Sequence, residues 1–236
     1  MDLFMKAFKR PFSDIKTLLI GCVLMFLGTI GSLLGVQGLN IVLYVIFTSL
    51  VLGYVYDCGV LSLKKNYSLP KWKEGGFLWI KGIKVLVLSV IWSVPVTVIY
   101  MLFLNSSISS SSDINLLLLQ IPGYGKLIVA ILFILTIYLV PAAVLNFIKT
   151  KKFKEGLNFK HILEKVYSIK YASAWFFSIF VFFSLYLTTF LAVIILGIIP
   201  LLGIYISQIA YFLFPSTIFI SYVVGITAIG TRWNKL

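Results

Sequence analysis

The chain has 236 residues, of which 61% are hydrophobic and only 11% are charged, and its mean hydropathy is +1.07. A soluble domain carries about 25% charged residues, and a globule of this size cannot bury so much apolar surface. The composition therefore excludes an ordinary soluble protein and indicates lipid as the solvent of most side chains. The net charge of +13 is explained by the basic loops that orient membrane proteins, so we expect no nucleic-acid partner.

Six apolar runs predict an all-α, polytopic membrane protein of about six transmembrane helices arranged as three hairpins. Each run has the roughly 18–25 residues that a hydrocarbon layer requires, and in lipid each must be helical to satisfy its own backbone. None shows the short alternating pattern of a β-barrel. We expect a single integral membrane domain over residues 1–236. Its predicted spans are 17–34, 39–63, 77–104, 127–148, 171–199 and 204–229.

The basic residues alternate between the two sides of the predicted spans. Nineteen of the 20 lysines and arginines fall in the N-terminus, the segments after the second and fourth runs, and the C-terminus; Lys126 is the exception. Basic residues are retained on the cytoplasmic side of membranes. The pattern predicts a multi-pass protein of the cell membrane with both termini in the cytoplasm.

A short polar phrase recurs at the predicted inner surface, as Trp72-Lys-Glu-Gly75 and Phe153-Lys-Glu-Gly156. Each pair of spans follows such a basic, aromatic-rich segment, which indicates three copies of one unit. The third copy continues into a predicted amphipathic helix lying in the membrane interface. Its expected apolar face holds Phe159, Ile162, Leu163, Val166 and Ile169, and its expected polar face holds Lys160, His161, Glu164 and Lys165.

Lysines at these inner segments are candidate contacts for anionic lipid headgroups, in addition to the bilayer itself. A basic residue near such a surface contributes about 1 kcal/mol. The alternative is that they only orient and anchor the chain. The candidates are Lys71, Lys73, Lys149, Lys151, Lys152 and Lys154.

No arrangement typical of a catalytic or metal site occurs in the sequence. The single histidine, His161, has no second histidine or nearby cysteine with which to share a metal, and Cys22 and Cys58 lie in apolar segments. We therefore expect no enzymatic activity and no cofactor.

Asp57 is a possible intramembrane polar site, because an ionisable group inside a span is costly and often functional. It lies about two turns before Lys64. One interpretation is a structural ion pair with Lys64 or with a lysine of the second unit. The other is a site for a substrate or a proton.

Several short motifs resemble the prokaryotic membrane proteins grouped as domain of unknown function 4013. These motifs are Phe8-Lys-Arg-Pro-Phe-Ser-Asp14 before Leu18-Leu-Ile-Gly21, then Gly53-Tyr54, Leu69-Pro-Lys-Trp72 leading to Gly82, and Tyr138-Leu-Val-Pro-Ala-Ala143 before Lys152-Phe-Lys-Glu-Gly-Leu-Asn-Phe159. The resemblance implies a multi-spanning integral membrane protein. It brings no catalytic residues.

Two classes of function fit the sequence. One is a non-enzymatic membrane component that engages lipids, a partner membrane protein or a second copy of the chain. The other is a small transporter or channel with a cavity near Asp57. The scarcity of ionisable residues within the spans favours the first class, because transport paths are usually lined by such groups.

Overall fold

The computed structural model describes residues 2–33, 37–72, 75–107, 123–199 and 205–233, and Lys73 lies outside these ranges. Within them every regular element is helical and no strand occurs. In chain order the elements are α1 (Asp2–Lys9), the 3₁₀ helix η1 (Arg10–Ser13), α2 (Ile15–Leu33), α3 (Gln37–Leu63), α4 (Gly75–Ser107), α5 (Gly123–Thr150), the 3₁₀ helix η2 (Phe153–Leu157), α6 (Phe159–Val166), α7 (Ile169–Ile198) and α8 (Ile206–Trp233).

The prediction of an all-helical membrane protein is confirmed. Five of the described helices, α3, α4, α5, α7 and α8, are long and apolar enough to cross a bilayer. The count reaches six if the N-terminal helices and α2, which meet at a bend of 79°, form one broken span. The hairpin partners α2 with α3, α4 with α5 and α7 with α8 pack on each other.

Helices α3 and α8 form the centre of the bundle. Helix α8 packs against α2, α3 and α7. In its most apolar 18-residue stretch 61% of the residues are buried, compared with 6% in α7 and 11% in α4. Aromatic rings fill the space between the two central helices and the segment before α4. Tyr54 stacks on Trp72 with ring centroids 4.1 Å apart and contacts Phe219 at 5.9 Å. The large apolar surfaces of α4 and α7 therefore face lipid.

Helices α3 and α4 approach each other through glycine. A methyl group added at Gly53 would collide with the backbone of Leu78, and one added at Gly82 would collide with the backbone of Ser49. Small residues allow such backbone contact between helices, where apolar burial gives little driving force in lipid.

Arg10 joins the N-terminal segment to the central helices. Its side chain is 2% exposed and donates to the Ser62 hydroxyl at 2.7 Å and the Thr227 hydroxyl at 2.8 Å. It also donates to the carbonyls of Ser68 at 2.8 Å and Cys58 at 3.1 Å. These four hydrogen bonds to neighbouring segments offset the cost of burying the guanidinium.

One end of the bundle, called here the basic end, is built from η1, η2, α6 and the last turns of α3, α5 and α8. Arg10 links η1 to α3 and α8. Asn146 donates to the Glu155 carbonyl at 2.6 Å and so links α5 to η2. The Lys165 ammonium lies 4.8 Å from the centre of the Trp233 ring and links α6 to α8. The first and last described helices thus meet at this end; that it faces the cytoplasm stays a prediction.

The amphipathic helix α6 is shorter than expected and its polar face is smaller. It ends at Val166, so that Ile169 begins α7 instead of extending the apolar face of α6. Lys165, expected on the polar face, is 8% exposed because the chain turns there and α8 covers it. Trp233 of α8, which covers Lys165, is itself fully buried.

We predict that Gly53→Ala and Gly82→Ala each destabilise the protein by at least about 2 kcal/mol, because a methyl group must push two helix backbones apart. Thermal unfolding in detergent micelles measures the effect. Gly76→Ala is the matched control, since an added methyl group there meets nothing within 4 Å. Equal melting temperatures for all three variants would contradict the prediction.

We predict that Arg10→Met lowers the free energy of unfolding by about 3 kcal/mol or more, because charge-assisted hydrogen bonds are lost and buried acceptors lose their donor. Lys9→Met, at the adjacent exposed position, removes the same charge and should leave unfolding unchanged. Thermal melts in detergent measure both variants. A similar, small loss of stability in the two would show that the hydrogen bonds of Arg10 contribute little to the stability of the protein.

Candidate functional site: a basic pocket

Helices α3 and α5 end in the same unusual way. Lys65 follows α3 with a φ of 56° and Lys151 follows α5 with a φ of 58°. The Lys65 amide donates to the Ser62 carbonyl at 2.9 Å, and the Lys151 amide donates to the Phe147 carbonyl at 2.8 Å. These bonds are typical of helix C-caps, where glycine usually occupies the left-handed position. A lysine there carries a conformational cost that glycine avoids.

A pocket of about 240 Å³ lies between these two helix ends. Its walls combine three aliphatic side chains with three lysines. The lining residues are Val60, Leu63, Lys64, Ile148, Lys149 and Lys151. All three lysines are exposed, so their ammonium groups are available to a ligand that rests on the apolar surface.

The charge around this pocket is not balanced by carboxylates. In the part of the chain that the structure describes, no carboxylate lies within ion-pair distance of Lys64, Lys149 or Lys151, and the ion pairs found there join Asp57 to Lys81 and Glu164 to His161. Lysines at helix C-termini also interact favourably with the helix dipole. The pocket nevertheless presents an uncompensated positive field, and its chemistry fits an anion.

The structure brings together only two of the predicted lipid contacts, Lys149 and Lys151. Lys71, Lys152 and Lys154 are exposed and do not line the pocket. Lys64 lines it although the sequence did not single it out as a contact. A signal in the sequence could have identified it: Lys64 and Lys151 occupy similar positions, each just after an apolar run.

Asp57 is engaged by Lys81 of α4. The Lys81 ammonium lies 2.8 and 3.1 Å from the two carboxylate oxygens, and it also lies 5.8 Å from the centre of the Tyr56 ring. The partner is a lysine of the second unit, which is one of the two ion pairs considered from the sequence. Asp57 does not line the pocket. The pairing supports a structural role, which stays a prediction.

The potential metal ligands of the described residues do not cluster. No group of three histidine, cysteine, aspartate or glutamate side chains is close enough there to hold a metal ion. Cys22 and Cys58 are buried free thiols. The chemistry that the site offers is therefore that of ammonium groups beside an aliphatic surface.

Comparison with known proteins identifies a family. The model of a family described as a protein of unknown function (DUF4013) matches residues 36–201. No curated protein and no solved structure matches the chain.

We predict that Lys151→Gly and Lys65→Gly each raise the free energy of unfolding by up to about 1 kcal/mol, because glycine adopts the left-handed conformation without steric cost. Thermal melts in detergent measure the change. Lys152→Gly is the control, since that residue has no positive φ. A loss of stability in the first two variants would show that the lysine side chains make stabilising contacts that outweigh the strain.

Proposed function

The chain belongs to the DUF4013 family, and from this premise we propose that it is a non-enzymatic membrane component that binds the phosphate group of anionic lipids at its basic pocket. One observation carries the proposal: three lysines and three aliphatic residues surround one pocket, and no described carboxylate neutralises it. Such a site matches a headgroup that joins a phosphate to a hydrocarbon chain.

The number of lysines at the pocket supports an affinity for anionic lipid. Each lysine near an anionic surface contributes about 1 kcal/mol, so the three lysines that line the pocket provide a useful affinity.

We further propose that the basic end faces the cytoplasm. The distribution of lysine and arginine along the sequence favours this orientation. The cytoplasmic leaflet is also where anionic lipids produce a negative surface potential. Labelling of single cysteines introduced at Lys152 and at Gly38 with a membrane-impermeant maleimide tests the orientation: only the Gly38 variant should react in intact cells.

Transport is the less favoured alternative. The carboxylate at the predicted transport site, Asp57, already has the Lys81 ammonium as a partner. The described pocket lies at the helix ends and is not lined by Asp57.

We predict that Lys151→Gly weakens binding of phosphatidylglycerol about fivefold, because one contribution of about 1 kcal/mol is lost. Lys65→Gly is the matched control: it removes the same charge from the same backbone conformation but outside the pocket. Binding is measured with labelled lipid and purified protein in phosphatidylcholine nanodiscs.

Equal weakening by the two glycine variants would mean that only diffuse charge attracts the lipid. Binding that neither variant changes would overturn the proposal. Binding to a protein partner or to a second copy, lost in Lys151→Gly without any effect on lipid, would assign the pocket to that partner.

A further inference from the structure

Helix α5 has an exposed part and a buried part, and Pro141 lies near their boundary. Apart from Gly125, the buried residues of the helix all lie at or after Leu139. The part before the proline, residues 123–138, exposes large apolar side chains, Leu127 among them. The inner part therefore packs in the bundle and ends at the basic pocket, whereas the outer part lies mostly in lipid.

The proline leaves one carbonyl of α5 without its helical partner. Pro141 has no N–H, so the Ile137 carbonyl, four residues earlier, cannot make its usual hydrogen bond. The indole N–H of Trp175 in α7 donates to this carbonyl at 3.1 Å. An unpaired carbonyl is costly in lipid, and the group that satisfies this one comes from a different helix.

Two tyrosines complete an aromatic clamp, defined here as Tyr138, Tyr171 and Trp175. The Tyr171 hydroxyl of α7 donates to the Tyr138 carbonyl at 2.5 Å, and the Tyr138 hydroxyl donates to the Val166 carbonyl at 2.6 Å. The Tyr138 ring lies edge-on to the rings of Tyr171 and Trp175, with centroids 5.1 Å apart in both pairs. The backbone of α5 just before Pro141 is thus fastened to α6 and α7.

The aromatic clamp is a local connection between helices that otherwise have different partners. Helix α5 packs along α4, and α7 packs along α8, but α5 and α7 are not among the helix pairs with extensive packing. At the outer end of α5, Tyr124 contacts Phe103 of α4. Helix α4 carries its own proline, Pro95. The outer parts of α4 and α5 are therefore joined to each other, and each follows a proline that weakens its helix.

We infer that the outer parts of α4 and α5, residues 96–107 and 123–138, form an arm that swings about Pro95 and Pro141, and that the aromatic clamp holds this arm against α7. Release of the clamp widens the space between α5 and α7 and admits lipid there. A helix rises about 1.5 Å per residue, so a change of about 20° at the proline displaces a residue 14 positions away by about 7 Å. The inner part of α5 stays in the bundle, so the motion is independent of the lipid binding proposed above.

Double electron–electron resonance between pairs of nitroxide labels measures this motion in nanodiscs. Labels at Leu127 and Phe190, both exposed, report the distance between the outer parts of α5 and α7. Labels at Lys152 and Tyr167, both exposed, report the distance between the inner ends of the same segments. Both native cysteines are replaced by alanine, so that only the introduced cysteines react.

Trp175→Phe keeps an aromatic ring and removes the donor to α5. It should lengthen the outer distance by about 7 Å, or broaden it by as much, and leave the inner distance unchanged. Tyr171→Phe removes the second donor and should act in the same direction, which covers the case in which Trp175→Phe does not fold. Trp92→Phe is the matched control, since this indole donates to the Gly156 carbonyl at 3.0 Å and not to a carbonyl freed by proline.

Pro141→Ala distinguishes a pivot in α5 from a general loosening of the bundle. Alanine restores the N–H that pairs with the Ile137 carbonyl, so the double variant Pro141→Ala/Trp175→Phe should keep the wild-type outer distance. A longer distance that persists in the double variant would overturn Pro141 as the pivot. An outer distance that neither Trp175→Phe nor Tyr171→Phe changes would overturn the inference, and so would an equal change of the inner distance.

Discussion

A hydrocarbon layer offers no hydrogen-bond partner, and this single constraint governs the architecture. It makes each apolar run a helix, although many of the residues in these runs favour strands in water. It also acts on the polar side chains within the helices. Ser93 donates to the Ser89 carbonyl at 2.9 Å, and Thr231 donates to the Thr227 carbonyl at 3.0 Å. Hydroxyl groups that are satisfied within their own helix do not by themselves bring two helices together.

Helix association therefore depends on features other than apolar burial. The glycine contact between α3 and α4 allows close packing of their backbones. Aromatic stacking around Tyr54 fills the space between α3, α8 and the segment before α4. Arg10 then closes the basic end, because its fixed fork of donors reaches a helix, a loop and a second helix at once.

At the basic end, the same lysines can serve several purposes. They favour one orientation in the membrane, they complement the helix C-termini, and in the proposed function they hold a phosphate group. The first two effects tolerate a lysine almost anywhere in a loop. They do not require Lys64, Lys149 and Lys151 to share one pocket with an aliphatic wall. This shared pocket is where a specific ligand explains more than orientation does.

The sequence by itself determined that most side chains face lipid, that the fold is all-helical, roughly where the helices begin and end, and which segments concentrate the charge. Hydropathy and loop charge are sums over stretches of sequence, so they can be read without knowing which residues are in contact. It did not reveal that Arg10 and Lys165 are buried, because the sequence around a basic residue near a span does not distinguish a side chain that faces water from one that faces another helix. It also did not predict that Lys64 lines the same pocket as Lys149 and Lys151. Only the tertiary structure decided these points, because side chains far apart in the chain converge there through helix packing, and helices that are apolar on every side carry no periodicity that predicts their neighbours.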